Sequence, residues 1–324
     1  MVRSGHPLVR AGTYGRCRVA DGRDSSRQGE RPSNKLAAKR AASERVATAR
    51  AAEAKAVRRR NVLGAGAAVL VVLLLIGGIV FYGLTHKKKV VAGAGNPVVA
   101  ASSTVTDGLK KAAAITTSPT DLSGVSGPPS RLTGAALTGS GGKPQVLYIG
   151  AEYCPYCAIT RWPLTVALSR FGSFSGLKTT KSAADDTAGP NTPTLSYHGS
   201  SYKSDYVDFV PVEAEDGLQQ PLETPTAAQN TLWQTLGGSG FPFIDFGGKW
   251  MQKGTLSSPA VLSGMSPDDV ASQIGDVSTK PGSTVQQGAD VYTAIICGLD
   301  GGKPANVCTS AGAIAATAAL SAIK

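Results

Sequence analysis

Cys154-Pro155-Tyr156-Cys157 carries the clearest chemistry in this chain. Thiols three positions apart come round to one face of a helix and can close a disulfide. A Cys-x-x-Cys pair where a strand hands over to a helix has the geometry of thiol–disulfide exchange. The flanking residues supply both elements: Val146 to Ile149 is an apolar β-type run, and Ala158, Ile159, Trp162, Leu164, Val166, Ala167 and Leu168 follow in a helical pattern. Cys154 then stands at the helix N-terminus, where unpaired N–H groups and the macrodipole favour a thiolate. Pro155 suits the first turn because its missing N–H costs nothing there. Cys154 is the expected nucleophile and Cys157 the resolving thiol. The competing use of such a pair is half of a zinc site, which needs two more ligands at suitable spacing. The chain has three His, at 6, 86 and 198, and its other cysteines, 17, 297 and 308, form no second Cys-x-x-Cys. Redox chemistry without a metal is the expectation.

The elements that must hold this pair are legible around it. A strand is expected at 145–150 and a helix at 155–171, which Pro163 should kink. Short strands follow near 177–181, 194–198 and 206–213. A helix with Thr226 as cap runs over 226–236. A hairpin pairs Phe243-Ile244-Asp245-Phe246 with Lys249-Trp250-Met251 through Gly247-Gly248. Ser266 and Asp269 have capping-box spacing for a helix reaching Ile274. Two more helices are expected at 284–298 and 305–323, joined by a Gly/Pro turn. Cys297 ends the first and Cys308 begins the second, so a disulfide would staple this helical hairpin. A shuttle disulfide that exchanges with Cys154 is the alternative for that pair.

Charge divides the chain. Residues 1–60 hold 16 Lys and Arg against 5 Asp and Glu, which accounts for the whole formal charge of +11; the remainder is balanced at 17 against 17. That distribution argues against nucleic acid as a partner. Residues 1–34 are polar, Arg-, Gly- and Ser-rich, and read as a disordered basic tail with Cys17 as a passive thiol. Residues 35–60, rich in Ala, Lys, Arg and Glu, read as a charged cytoplasmic helix. Val62 to Leu84 is 23 residues without a charge, so 61–85 is expected to span a membrane once. Eight basic residues from Lys39 to Arg60 precede it and Lys87, Lys88 and Lys89 follow, which orients the N-terminus to the cytoplasm. A cleaved signal peptide would have a shorter apolar core behind a shorter basic region. Residues 86–142, rich in Ala, Gly, Ser, Thr and Pro, read as a stalk with a few short elements such as Val105 to Ala114. Residues 143–324 are long enough for one extracytoplasmic globular domain.

Taken together, the strand, Gly150-Ala151-Glu152-Tyr153-Cys154-Pro155-Tyr156-Cys157 and the helix resemble the active-site region of the thioredoxin superfamily. Gly240-Phe241-Pro242-Phe243-Ile244-Asp245-Phe246 before Gly247-Gly248-Lys249 resembles its second hallmark, a cis-proline that opens an antiparallel hairpin strand. The resemblance implies an α/β fold with a thioredoxin-type sheet, a cis Pro242 that shapes the substrate edge, and Phe241 beside the Cys pair. More narrowly, Tyr153-Cys154-Pro155-Tyr156-Cys157-Ala158 continuing through Arg161-Trp162 to Ala167-Leu168-Ser169-Arg170-Phe171-Gly172 is similar to DUF 929, a prokaryotic family of membrane-anchored thioredoxin-like proteins. The sequence departs from the thioredoxin pattern twice. Where thioredoxins place a buried acid, six residues before the first Cys, this chain has Tyr148; Glu152 is the nearer carboxylate and the candidate for proton transfer. The spacing from Cys157 to Pro242 is also about twice that of a minimal thioredoxin, so about 178–225 is expected to be an insertion that forms a substrate surface or lid. Helices at about 266–323 complete the domain.

The resulting expectation is a single-pass membrane protein whose outward domain exchanges disulfides with envelope protein thiols. A redox partner recycles the pair, and no cofactor is needed because the chain has no dinucleotide fingerprint, P-loop or His-based triad. Oxidant or isomerase is the favoured direction. The alternative is a non-enzymatic binding module with a permanently closed Cys pair.

Overall fold

The computed structural model describes residues 95–115 and 125–323, together with Thr48 and Lys55. The expected basic tail and membrane span, with Cys17, lie outside these residues, and of the expected cytoplasmic helix only Thr48 and Lys55 are described, both helical. Among the described residues no helix is long and apolar enough to cross a membrane.

The fold is mixed α/β. Its central sheet contains β2 (Ser130–Arg131), β3 (Gln145–Ala151), β8 (Asp208–Glu215), β9 (Phe243–Phe246) and β10 (Trp250–Lys253), in the order β2-β10-β9-β3-β8. β3 runs parallel to β8 and antiparallel to β9, with Ile149 opposite Val212 and Phe243. The other pairs of this sheet are antiparallel. Side chains of β3 alternate between two cores, as the period of a strand requires. Val146 and Tyr148 enter the larger one with α2 (Pro155–Ser169) and α5 (Lys280–Leu299). Leu147 and Ile149 enter the smaller one beneath α3 (Ala227–Gly237), where Leu232, Trp233 and Leu236 close it. The result is a sheet with helices on both faces.

Several expected elements are present with small shifts. α3 opens on a Thr226–Gln229 capping box and ends on Gly238 in the left-handed region. α4 (Pro267–Gln273) opens on a Ser266–Asp269 box. α5 begins at Lys280 rather than 284, because Thr279 caps it and Pro281 fits its first turn. The last expected helix is broken into α6 (Ala305–Cys308) and α7 (Ala311–Ser321); Ser310 caps the second piece through the Ala313 N–H. α2 continues through Pro163.

Two expectations are corrected. Residues 86–142 are not a free stalk where they are described. β1 (Val99–Ala100) pairs with β5 (Lys178–Lys181), and α1 (Ser103–Ala113) buries Val105, Leu109 and Ala112 in the main core. Gly108 allows the α1 backbone to lie against α4, since a Cβ there would fall 2.2 Å from the Ala271 carbonyl oxygen. β2 adds an edge strand to β10. These residues belong to the same compact unit as the rest of the domain. The expected insertion also does not extend to 225. β8 is the parallel neighbour of β3, and its Val212, Glu213 and Ala214 are buried, which accounts for its partial alternation. The excursion lies between α2 and β8. It comprises the β4 (Gly172–Ser175) and β7 (Ser201–Ser204) pair, together with β5 and β6 (Pro193–Ser196), which join β1 in a three-stranded sheet.

This excursion braces the Cys helix. α2 is buried all round from Pro155 to Leu168 except at Tyr156, so its polar groups need partners. The Trp162 indole donates to the Pro193 carbonyl at 3.0 Å, and the Tyr202 hydroxyl to the Leu168 carbonyl at 2.8 Å. Thr165 and Tyr197 share a hydroxyl–hydroxyl bond of 2.8 Å. At the far end of α2, Arg170 donates to Asp290 at 2.7 Å and Gln286 at 2.9 Å, which ties it to α5.

Candidate functional site

β3 ends at Ala151, and after two further residues Cys154 becomes the N-cap of α2, with extended backbone angles of φ −77° and ψ 121°. Pro155 follows at the first helical position. A cap residue offers a side-chain acceptor to the first free N–H groups. Here that acceptor is sulfur: the Cys157 N–H donates to Cys154 Sγ at 3.3 Å. Cys154 is 6 % exposed and Cys157 is fully buried behind it, both as free thiols. The two sulfurs are electrostatically unequal. The Cys157 side chain hydrogen-bonds to Cys154 and holds its thiol below the ordinary value, against the opposing effect of burial; the local N–H groups and Arg161 add to the lowering. Burial pushes Cys157 well up, and donation to Cys154 pushes it further. The outer thiol is therefore biased toward thiolate, the nucleophilic form, and the inner one toward the protonated thiol.

The rim is aromatic. Tyr153 and Phe241 pack against the cluster of Ala151, Cys154 and Cys157. Trp233 stacks on Phe241 with centroids 5.0 Å apart, and its indole donates to the Gly240 carbonyl at 2.9 Å. Tyr156 projects outward. The Phe241–Pro242 peptide is cis, as expected, and Pro242 leads directly into β9. From the other side, the loop between β5 and β6 holds the turn: the Ala183 N–H donates to the Tyr153 carbonyl at 2.8 Å, and Gly189 packs against Pro155.

Sequence reasoning missed the charges beneath the pair. Arg161, four residues after Cys157, is fully buried. Its Nε donates to Glu213 Oε1 at 2.9 Å and its Nη2 to Glu213 Oε2 at 2.5 Å. Nη2 also donates to the Ala151 carbonyl at 2.9 Å, and Nη1 to Thr194 at 3.3 Å. Burial, the largest single effect, disfavours the charged guanidinium, but Glu213 together with Tyr148 and Cys157 more than offsets it and holds Arg161 ionised. The signal available in the sequence was position alone, one helical turn beyond Cys157 on the inward face.

Tyr148, at the place of the expected acid, is buried with no hydrogen-bond partner for its hydroxyl. Burial raises it well above its ordinary value. Glu152 is not the exposed turn residue that its charge predicts. It is 3 % exposed and accepts a bond from Ser196 at 2.6 Å, which turns it toward β6. Burial raises its pKa, and the surrounding charges are Glu213, Arg161 and His198 rather than the thiols. His198 in turn bonds Glu223 at 2.6 Å.

Cys297 and Cys308 form a disulfide with Cα atoms 5.6 Å apart. It staples the end of α5 to α6 at the far end of the sheet: Leu299 lies against Gly247, which follows β9 beyond Phe246, the partner of Val146. The length of β3, about 20 Å, separates that end from Cys154.

Comparison with known proteins gives one match, and no curated protein or solved structure matches the chain. The family model described as "Domain of unknown function (DUF929)" aligns with residues 134–298, half of the sequence. That span runs from before β3 almost to the end of α5 and includes both thiols, Arg161, Glu213 and Pro242, so the chain belongs to the DUF929 family.

Proposed function

We propose that this protein is a thioredoxin-like thiol–disulfide oxidoreductase acting on protein thiols. The observation that carries the reading is the asymmetric pair: a nucleophilic Cys154 at the cap of α2, with Cys157 buried one turn behind it. The order β8-β3-β9-β10, with α2 after β3, α3 after β8 and α5 beyond the hairpin, is consistent with the thioredoxin topology implied by the resemblance. A cis Pro242 beside Phe241 at the same end of the sheet is also consistent with it. In the proposed cycle, Cys154 thiolate attacks a substrate disulfide. Cys157 then resolves the mixed disulfide, and the reverse sequence donates the disulfide. Pro242 shapes the edge on which substrate lies. Glu152 is turned toward Ser196 and is assigned no step in this cycle. The charged N-terminal segment and the uncharged run 62–84 support a membrane anchor with this domain outside the cytoplasm, where partner thiols recycle the pair.

The test uses a Cys157→Ser variant of the full chain, whose mixed disulfides cannot resolve. It should accumulate reductant-sensitive adducts with added disulfide-bonded polypeptides, and the Cys154→Ser variant should form none. Equal adduct formation by both variants would sink the reading.

A further inference from the structure

The helix that carries the Cys pair also carries a buried cation that exchange between two thiols does not by itself require. Arg161 lies one turn beyond Cys157 on the same face of α2 and is fully buried. Its charge is paired with Glu213 across the layer between α2 and β8. Apolar residues of similar volume commonly hold a helix to a sheet as well as a buried ion pair does, because desolvation offsets much of the Coulombic gain. Packing alone therefore gives no reason for a charge here. The guanidinium also donates to the Ala151 carbonyl, and Ala151 packs directly with Cys154 and Cys157. The titratable groups that interact with Cys157 are Cys154 at the cap of α2, Arg161 on α2, Tyr148 on β3 and Tyr153 in the turn, while Glu213 on β8 reaches the site through Arg161. Arg161 is the cation in this set. The acid that would otherwise assist the inner thiol is replaced by Tyr148, whose hydroxyl is unpaired.

We infer that Arg161, held by Glu213, is the positioning residue that allows the buried Cys157 to act as a thiolate. This rests on the exchange reading above. The step it serves is resolution. Cys157 gives up its proton to solvent, and its sulfur electron pair attacks Cys154 Sγ. The Cys154–Cys157 bond forms as the bond from Cys154 to the substrate sulfur breaks. The substrate leaves as a thiolate and takes a proton from solvent; the Cys pair has been oxidised by two electrons and the substrate disulfide reduced. Arg161 stays protonated throughout. With Cys157 as a thiol, Arg161 and Glu213 neutralise each other; when the thiolate forms, two anions share one buried cation. The same field acts in reverse, when Cys157 is the leaving group as the protein donates its disulfide.

The experiment separates the two chemical steps. Full-length protein carrying Cys17→Ser, with Cys154 and Cys157 reduced and Cys297–Cys308 intact, is mixed with an aromatic disulfide reagent whose thiol is coloured on release. The first equivalent reports attack by Cys154 and the second reports resolution by Cys157. Removing Arg161 alone would strand a buried carboxylate, so the informative variant is Arg161→Met with Glu213→Met, alongside Arg161→Lys. At neutral pH the double variant should lose about tenfold or more in the second phase, equivalent to a rise of a pKa unit or more at the inner thiol, and the first phase should slow less. Arg161→Lys should recover much of the second phase. A folded double variant with a wild-type second phase overturns the inference, as does a lysine variant as slow as the double one. With Arg161 and Glu213 both in place, release of one equivalent alone overturns the exchange reading itself, and the inference with it.

Discussion

A sulfur atom that caps its own helix is the feature on which the proposed chemistry depends. The Cys157 N–H and side chain both favour charge on Cys154, whereas burial disfavours it on Cys157. Alkylation of the reduced protein by iodoacetamide should therefore follow a pH curve centred below the ordinary thiol value of 9.0, with modification at Cys154 and sparing of Cys157. The same asymmetry gives stability a sign. Cys154 is depressed in the fold, so between its lowered pKa and 9.0 the unfolded reduced chain binds more protons and the reduced fold gains stability as pH rises. That gain is lost as pH falls through the lowered pKa. Cys157 is raised, so above 9.0 it acts in the opposite sense. The melting temperature of the reduced protein, measured relative to the oxidised one, should climb toward pH 9 and decline beyond it; a steady decline from neutral pH would reject the assignment. Glu152→Gln should leave the alkylation profile in place. The Cys pair was legible in the sequence because its chemistry lies in residue types at short spacing, and Pro242 through the resemblance of its surroundings to the thioredoxin hairpin. Arg161 and Glu213 were not, because they meet across 52 residues and a helical arginine ordinarily faces water. The burial of Glu152 was not legible for the same reason: β6, which covers it, arrives from 44 residues away.

Secondary elements with their own local signals were readable: the capping boxes at Thr226 and Ser266, the Gly247-Gly248 hairpin, and the strand-to-helix passage at the Cys pair. Elements that exist through their partners were not. β1 and β2 are two residues each and hold by pairing to β5 and β10, so their composition reads as linker. α1 shows the same dependence, since its apolar stripe is meaningful only against α2 and α4. Gly108→Val should force its backbone off Ala271, lower the melting temperature and open residues 103–113 to hydrogen exchange; unchanged protection there would contradict the docking of α1. The Cys297–Cys308 staple acts at the opposite end of the sheet from the reactive pair. Replacing both with Ala should cost about 2–4 kcal/mol, as for a typical native bridge, and leave exchange rates in place. Loss of exchange in a folded double-alanine variant would revive a shuttle between the two pairs.

For the molecule as a whole, the segregation of charge and the uncharged 23-residue run carry the proposed topology. In intact cells a membrane-impermeant thiol label, added after reduction, should reach Cys154 and spare Cys17. The reverse pattern would invert the orientation and remove the envelope role. The central claim, that Cys154 and Cys157 pass a disulfide to and from protein thiols, is tested most directly by single-turnover transfer. Oxidised full-length protein is mixed in equal amount with a reduced, unfolded polypeptide that carries two cysteines, and thiols on both partners are counted by alkylation and mass spectrometry. The account predicts that the disulfide moves between the partners as their ratio is varied, with Cys297–Cys308 unchanged and no transfer by the Cys154→Ser variant. A Cys154–Cys157 disulfide that stays closed against any excess of reduced polypeptide would contradict it and leave a binding module in its place.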